Sequence, residues 1–392
     1  MSSTTFGPKR PNAIATLLTT DDFLPGVQTL FHSLKETLPS EKHYKNSPNE
    51  YRPERIVLVT PNISQNVRDA LYPAFCTRII QVDPIAIPSS QENESHVSSW
   101  SHLCGYTKLQ MFHQIVYEKL LYIDSDCLVQ KDVSHLFQIE KCNELGLLAA
   151  APDVFPPDKF NAGVMLLQPS ARVFESLLSK AQELITYDGG DTGFLNAYFD
   201  KWNEYPKENR LGFAYNAQRF LHQCTYEKQP KYWDIAVGDK YIVHYSSSPK
   251  PWESSMNATM KDIASDHLTN EELEKVKLAE GKSKALDKLW KKCYNRSMQF
   301  KEDFEERQKL KKQRKVVAAN KPKPVAKPAA ASSGPSAKVK GALTFNKRYK
   351  QLKKEGHDQK TAMAMARREF GMDTNDNVSA GKQVAAMFGM PL

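Results

Sequence analysis

The stretch Leu120-Leu-Tyr-Ile-Asp124-Ser-Asp126 limits the fold more than any other, because a short apolar run breaks there onto two carboxylates one residue apart. In extended backbone, side chains at i and i+2 leave the same face about 6–7 Å apart, so Asp124 and Asp126 can converge on one cation. Ser125, between them, points away. Hard carboxylate oxygens suit Mg²⁺ or Mn²⁺, which bind through one or two protein carboxylates and leave room for a phosphorylated substrate. An Asp-rich turn after a strand is the competing reading.

The same pattern, an apolar run followed by polar groups, recurs along the chain. Ala13–Leu18 reads as a first strand with Thr19-Thr-Asp-Asp22 as its exit; Arg55–Val59, Thr77–Val82, Leu147–Ala150, Asn161–Leu167 and Tyr241–His244 follow. Helical periodicity lies between them, as in Val27, Leu30, Phe31 and Leu34, with Asp22 placed to cap that helix. Alternating strands and helices predict a mostly parallel sheet covered on both faces. Ligands of such sheets bind beyond the carboxyl ends of the strands, which turns attention to Leu18, Thr19 and Thr20.

Further polar groups fall at those ends. Lys108 lies in the first turns of a helix opened by Tyr106, where a cation is unfavourable, so a paired or phosphate-facing role competes with plain exposure. Asn161 offers donor and acceptor, and Gly163 allows close approach to the backbone, unless the segment is simply a turn into a core strand. Asp188-Gly-Gly-Asp191 is a second acidic site, although Asp191 at a helix start needs no catalytic explanation. His244 can complete a cation site and Lys250 can neutralise a phosphate; a structural histidine is the plainer reading.

Composition narrows the class. A chain of 392 residues with 40% hydrophobic content supports a large core. It has no apolar run long enough to span a membrane, and Met1 to Arg10 lack a signal-peptide segment. The six cysteines lack C-x-x-C spacing, which disfavours zinc or a disulfide framework and fits a reducing, cytoplasmic setting. The net charge of +9 belongs to the tail: Arg307 to Lys354 is rich in Lys and Arg and has no acid. Nucleic-acid binding by the main domain thereby loses its support.

Beyond Trp252, Thr269-Asn-Glu-Glu272 is a capping box, and Leu286, Leu289, Trp290 and Cys293 share a helical face that should pack on the main domain. The expected divisions are a flexible segment 1–10, a catalytic domain 11–255, a helical extension 256–306, a disordered Lys/Ala/Pro-rich linker 307–342 and a small helical module 343–392. Phe345, Tyr349 and Leu352 give that module one apolar face. It is too small to bury much area, so docking on a protein partner is preferred to a DNA-binding helix-turn-helix.

Asp124-Ser-Asp126, Asn161-Ala-Gly163, Asp188-Gly-Gly-Asp191 and His244-x5-Lys250-Pro-Trp252 occur in the order seen in glycogenin-like, retaining glycosyltransferases of family 8, which residues 11–255 resemble. The resemblance implies a GT-A fold, a Rossmann-like nucleotide-binding α/β domain, with a UDP-sugar donor and Mn²⁺ or Mg²⁺ as cofactor. It implies metal ligands at Asp124, Asp126 and His244, a diphosphate contact at Lys250, and uridine contacts at Leu18, Thr19 and Thr20. Lys108, Asn161, Gly163, Asp188 and Asp191 match donor-sugar and reaction-centre positions, and Ser125 and Ser247 belong to the donor-binding set. Two departures stand out: Thr192 where glycogenin carries Gln, and Ser247 where it has Gly beside the diphosphate. Gln223 stands at the offset of glycogenin's initiator tyrosine, with Tyr226 nearby but displaced, so self-glycosylation is unsupported.

The expected activity is transfer of a hexose, glucose or galactose, to a hydroxyl acceptor, with a homodimer as a compatible assembly. A catalytically silent nucleotide-sugar-binding scaffold that recruits partners through its tail is the alternative. A nucleotidyltransferase would need a Gly-rich phosphate loop after the first strand, and Leu17-Leu-Thr-Thr20 is not one.

Overall fold

The structure is a computed structural model that describes residues 11–40, 42–43, 52–87, 105–154, 156–225, 232–235, 237–246, 249–253, 270–319 and short stretches between 348 and 366. Its strands are β1 (Ala13–Leu18), β2 (Glu54–Val59), β3 (Arg78–Gln81), β4 (Leu120–Ile123), β5 (Cys127–Val129), β6 (Leu147–Pro152), β7 (Phe160–Leu167), β8 (Ala217–Gln218) and β9 (Ile242–His244). The helices used below are α1 (Leu24–Thr37), α2 (Gln65–Leu71), α3 (Ala171–Lys180), α4 (Asp191–Tyr198), α5 (Arg219–Thr225) and α6 (Asn270–Ala319).

Six strands form one sheet in the order β3-β2-β1-β4-β7-β6, and only β7 runs against the others. This is the mixed α/β layer expected of a GT-A domain. Strand alternation sorts the apolar residues into two cores. Ile14, Leu18, Val57, Val59, Leu121 and Ile123 face the side covered by Val27, Leu30, Phe31 and Leu34 of α1. Ala13, Ala15, Leu17, Ile56, Leu58, Leu120 and Tyr122 face the side covered by α3 and α4 through Val173, Phe174, Leu177, Phe194 and Leu195. Burial on both faces explains why β1 is apolar except at Thr16. β1 pairs with β2 on one side and β4 on the other, so the chain order reverses there and opens a crevice beyond Leu18 and Ile123.

A second sheet, β5-β9-β8, was not anticipated. β5 pairs antiparallel with β9, placing Cys127 opposite His244, and β8 pairs parallel with β9, placing Gln218 beside it. The strands have two or three residues each, too short to show a period-2 pattern.

Asp22 does not cap α1. Asp21–Phe23 form a 3₁₀ turn, α1 begins at Leu24, and Asp21 accepts a hydrogen bond from the Ser64 N–H at 3.1 Å. The expected linker is also corrected at its start: α6 runs past Arg307 to Ala319. Lys, Arg, Gln and Leu favour a helix through this region, and the first helix-breaking proline is Pro322. As expected, Leu286, Trp290 and Cys293 of α6 are buried in one cluster with Leu128, Val243 and Tyr245. Arg296 forks onto Glu36 of α1 with contacts of 2.8 and 2.7 Å. In the C-terminal unit, 315–392, Leu352, Ala362 and Ala366 are buried together with Tyr349 against them. Phe345 lies outside the described residues.

Trp290 is 1% exposed, stacks on Tyr294 and meets Trp252 at a tilt. Trp290→Ala should lower unfolding stability by about 3–5 kcal/mol in a urea titration, the cost of a large core truncation.

Candidate active site

The two sheets meet at the end of β4. The backbone turns at Asp124, whose N–H is held by the Gly163 carbonyl at 2.8 Å, and re-enters β5 at Cys127. The Tyr245 N–H donates to the Asp126 carbonyl at 3.0 Å, extending the β5/β9 ladder past His244. This pairing sets the His244 Nε2 at 3.2 Å from Asp126 Oδ1 and 3.7 Å from Asp124 Oδ2. Neighbouring ligands on an octahedral ion with bonds of about 2.1 Å stand about 3 Å apart, a spacing that His244 Nε2 has to Asp126 Oδ1 and approaches to Asp124 Oδ2.

The Cys127 thiol also lies within 4.8 Å of the Asp126 and His244 donor atoms. Burial, reinforced by the Asp126 and Asp124 charges, pushes that thiol well above its ordinary pKa. A neutral thiol is a poor ligand for a hard ion, so Asp124 is the better third donor. Sequence reasoning gave Cys127 no place here; its position opposite His244 follows only from the strand register.

Two buried ammonium groups balance the acids. Lys250 Nζ contacts Asp126 Oδ2 at 2.6 Å and donates to the Tyr245 carbonyl at 2.9 Å. Lys108 Nζ sits 2.7 Å from Asp191 Oδ2, 3.3 Å from Asp124 Oδ1 and 3.3 Å from the Ala162 carbonyl. Of the two readings of Lys108, pairing holds: burial alone would lower its pKa, but Asp124 and Asp191 more than reverse this and raise it. Its segment, Thr107–His113, is a 3₁₀ helix. Tyr122 adds a hydroxyl donated to Asp124 Oδ1, and its ring lies 5.1 Å from the Lys108 ammonium. Burial would raise the Asp126 pKa, yet Lys250 and His244 hold it well below the usual carboxylate range.

Several residues expected in donor binding also make contacts within the scaffold. A Cβ on Gly163 would stand 2.7 Å from His244 Nδ1, so this glycine makes room for the imidazole. Asn161 Oδ1 accepts from the Gly163 N–H at 2.9 Å and from Asn216 Nδ2 at 2.9 Å. Both Asp188 oxygens accept backbone N–H groups, from Gly190 at 2.8 Å and from Gly193 at 3.0 and 3.1 Å, which fastens the start of α4. Burial, with Asp191 adding to it, pushes the Asp188 carboxyl up despite those bonds. Leu18 is fully buried, Thr19 accepts from Asn62 Nδ2 at 2.8 Å, and Thr20 is partly exposed at the crevice. Ser125 is buried, and its carbonyl would lie 2.5 Å from a Cβ on Gly26 of α1. Ser247 and Tyr226 lie outside the described residues.

The whole arrangement can bind a cation and a polyphosphate at the end of a nucleotide-type sheet. A profile of glycosyl transferase family 8 matches residues 14–256. Glycogenin-1 of Oryctolagus cuniculus is 30% identical over 257 residues, 65% of this chain and 69% of that protein. The chain belongs to glycosyl transferase family 8. This family 8 protein is also 34% identical to the glycogenin of Komagataella phaffii over 227 residues, 55% of this chain and 54% of the relative. A solved galactosyltransferase, LgtC with donor and acceptor sugar analogues, aligns at a TM-score of 0.42 and 17% identity, covering 67% of this chain and 99% of that one.

The transferase contains site residues that sequence reasoning missed: Tyr122, Asn216, Cys127 and Gly26. Asn216 carries no pattern of its own, and Tyr122 is hidden within an apolar strand. Gly163→Ala should cost about 1–3 kcal/mol of stability by overpacking and shift the His244 ring resonances, read by denaturation and by NMR of labelled histidine. Because the folded pKa of Asp126 is depressed, its contribution is present above the unfolded pKa, about 4, and fades as pH falls through that range. The metal-free Asp126→Asn protein should therefore lose stability with acid less steeply than wild type.

Proposed function

We propose that the chain is a retaining hexosyltransferase that moves glucose or galactose from a UDP-sugar to a hydroxyl acceptor, using one Mn²⁺ or Mg²⁺ held by Asp124, Asp126 and His244. The observation that carries this is the meeting of those three groups with Lys250 and the Lys108–Asp191 pair beyond the ends of β1 and β4. Family membership supplies the reaction class. The charged groups expected of a working site are present among the described residues, which disfavours a silent scaffold.

Transfer with retention needs the bond between sugar and diphosphate to loosen before the acceptor oxygen attacks, while positive charge grows on the ring. The bound divalent ion supplies fixed positive charge against the leaving diphosphate. The Lys250 ammonium adds a second, point-like charge to the same phosphates. Asp191, oriented by Lys108, faces the sugar and stabilises its cationic centre, with the acceptor arriving on the face from which the diphosphate departs. Asp188 acts at one remove, by holding the first turn of α4 and hence Asp191. Thr19, Thr20 and the end of Leu18 receive the uridine, and Asn161 and Gly163 shape the wall behind the sugar. Ser125 and Ser247 are assigned to donor binding from the family resemblance.

A cytoplasmic location fits this reading and the cysteine usage. No helix among the described residues is long and apolar enough to cross a membrane. The module 343–392 is assigned to a protein partner, and a second copy of the chain is compatible with the fold.

A panel of UDP-sugars assayed with Mn²⁺, by donor hydrolysis and by mass increase of candidate acceptors, tests the reading. Asp126→Ala and Asp191→Asn should each lower turnover by on the order of 10²-fold or more. Undiminished turnover in either variant removes the role assigned to that residue, and donor binding without turnover by wild type restores the scaffold.

A further inference from the structure

We infer that Asn216 is a positioning residue that, braced by Asn161 and Asp153, holds His244 in the tautomer whose Nε2 lone pair faces the cation site. The inference deepens the proposed divalent-cation reading and rests on it for its consequence, though not for its geometry.

His244 is 4% exposed and Asn216 is fully buried. The His244 Nδ1 lies 2.7 Å from Asn216 Oδ1. A carbonyl oxygen only accepts, so the proton of this bond belongs to Nδ1. The orientation of the Asn216 amide is set from behind, because its Nδ2 donates to Asn161 Oδ1 at 2.9 Å. Asn161 cannot turn over without loss, since its Oδ1 also accepts the Gly163 N–H at 2.9 Å and its Nδ2 donates to Asp153 Oδ2 at 3.2 Å. Asp153 is held in turn: its Oδ1 accepts Gln218 Nε2 at 3.0 Å and the Val154 N–H at 2.6 Å. A main-chain donor at one link and a carboxylate at the end therefore impose one polarity on the whole series.

With a proton held on Nδ1 by Asn216, Nε2 is the nitrogen left to a cation, and it faces Asp126 Oδ1 and Asp124 Oδ2 at 3.2 and 3.7 Å. Lone pairs at that spacing repel unless a positive charge lies among them. The other tautomer would place an N–H there, donate it to Asp126 and occupy the position a metal needs. Orientation of a ligating imidazole through its second nitrogen commonly governs metal affinity by about 10–100-fold. Here the orienting group is a neutral amide, which fixes the tautomer without adding a further buried charge beside two carboxylates.

The test uses the full chain labelled with ¹⁵N-histidine. Long-range ¹H–¹⁵N spectra of the metal-free protein read the protonated nitrogen of His244, and Mn²⁺ titration followed by electron paramagnetic resonance reads affinity. Wild type should carry a proton on Nδ1 whether or not Nε2 is also protonated beside the neighbouring Asp126. Asn216→Leu, close in volume and without an acceptor, should move the proton to Nε2 and weaken Mn²⁺ binding about 10–100-fold. Asp153→Asn, at a partly exposed position, is the milder variant should the buried one fail to fold, and is expected to weaken binding in the same sense by less. A wild-type ring with no proton on Nδ1 overturns the inference, as does an unchanged Nδ1 proton and unchanged affinity in both variants. Wild type that binds no Mn²⁺ overturns the cation reading, and the nitrogen spectra then judge the tautomer separately.

Discussion

The structure depends on one short ladder, the antiparallel pairing of Cys127–Val129 with Ile242–His244. Without it, the carboxylates at the end of β4 and the imidazole at the end of β9 have no reason to meet. The ladder contains few hydrogen bonds and would be marginal alone. Packing secures it: Leu128 and Val243 sit in the core built on Trp290 and Leu286 of α6, while Cys127, Val129 and Ile242 belong to the core beneath α1. The Ser33 hydroxyl of α1 adds a bond from the Val129 N–H at 3.0 Å. The site is thus assembled by hydrophobic burial on both sides of a three-residue strand, and α6 is part of the scaffold rather than an appendage.

Charge is the second constraint. Asp124, Asp126 and Asp191 stand within a few ångströms of Lys108 and Lys250. Burying such groups costs several kcal/mol each unless they are paired, so the cluster persists only because every acid has a cation beside it. On the proposed function the cost is retained because the site must receive a diphosphate and stabilise its departure, tasks that apolar packing cannot perform. Arg219 shows the same economy away from the chemistry. It is 2% exposed, meets Asp287 of α6 at 3.1 Å and donates to the Pro249 carbonyl at 2.7 Å, tying α6 to the backbone beside Lys250.

The main sheet was legible because its central strands are buried on both faces and read as largely apolar runs, whereas β3, at the edge, is not buried; β1 matches its expected limits, Ala13–Leu18, to the residue. That Asp124, Asp126 and His244 lie close together was legible from two acids after one strand and a histidine ending another, although Asp124–Asp126 form a turn rather than extended backbone. What pattern could not reveal was which partner each polar group chooses. Gly163 reads in sequence as space for a ligand, yet its missing Cβ accommodates His244. Asp188 reads as a reactive acid, yet its oxygens face the N–H groups of Gly190 and Gly193. Asn216 carries no signal at all, since its role exists only once β8 and β9 lie side by side. The helix through Arg307 is masked in the sequence by a lysine-rich composition that resembles a linker, although no proline interrupts it before Pro322.

The central claim is that one divalent ion is gripped by Asp124, Asp126 and His244. Crystals grown with Mn²⁺ and UDP, with anomalous diffraction recorded at the manganese edge, test it most directly. The account predicts a single strong peak about 2.0–2.3 Å from an oxygen of each aspartate and from His244 Nε2. A peak elsewhere, or one that touches the aspartates while His244 points away, contradicts it.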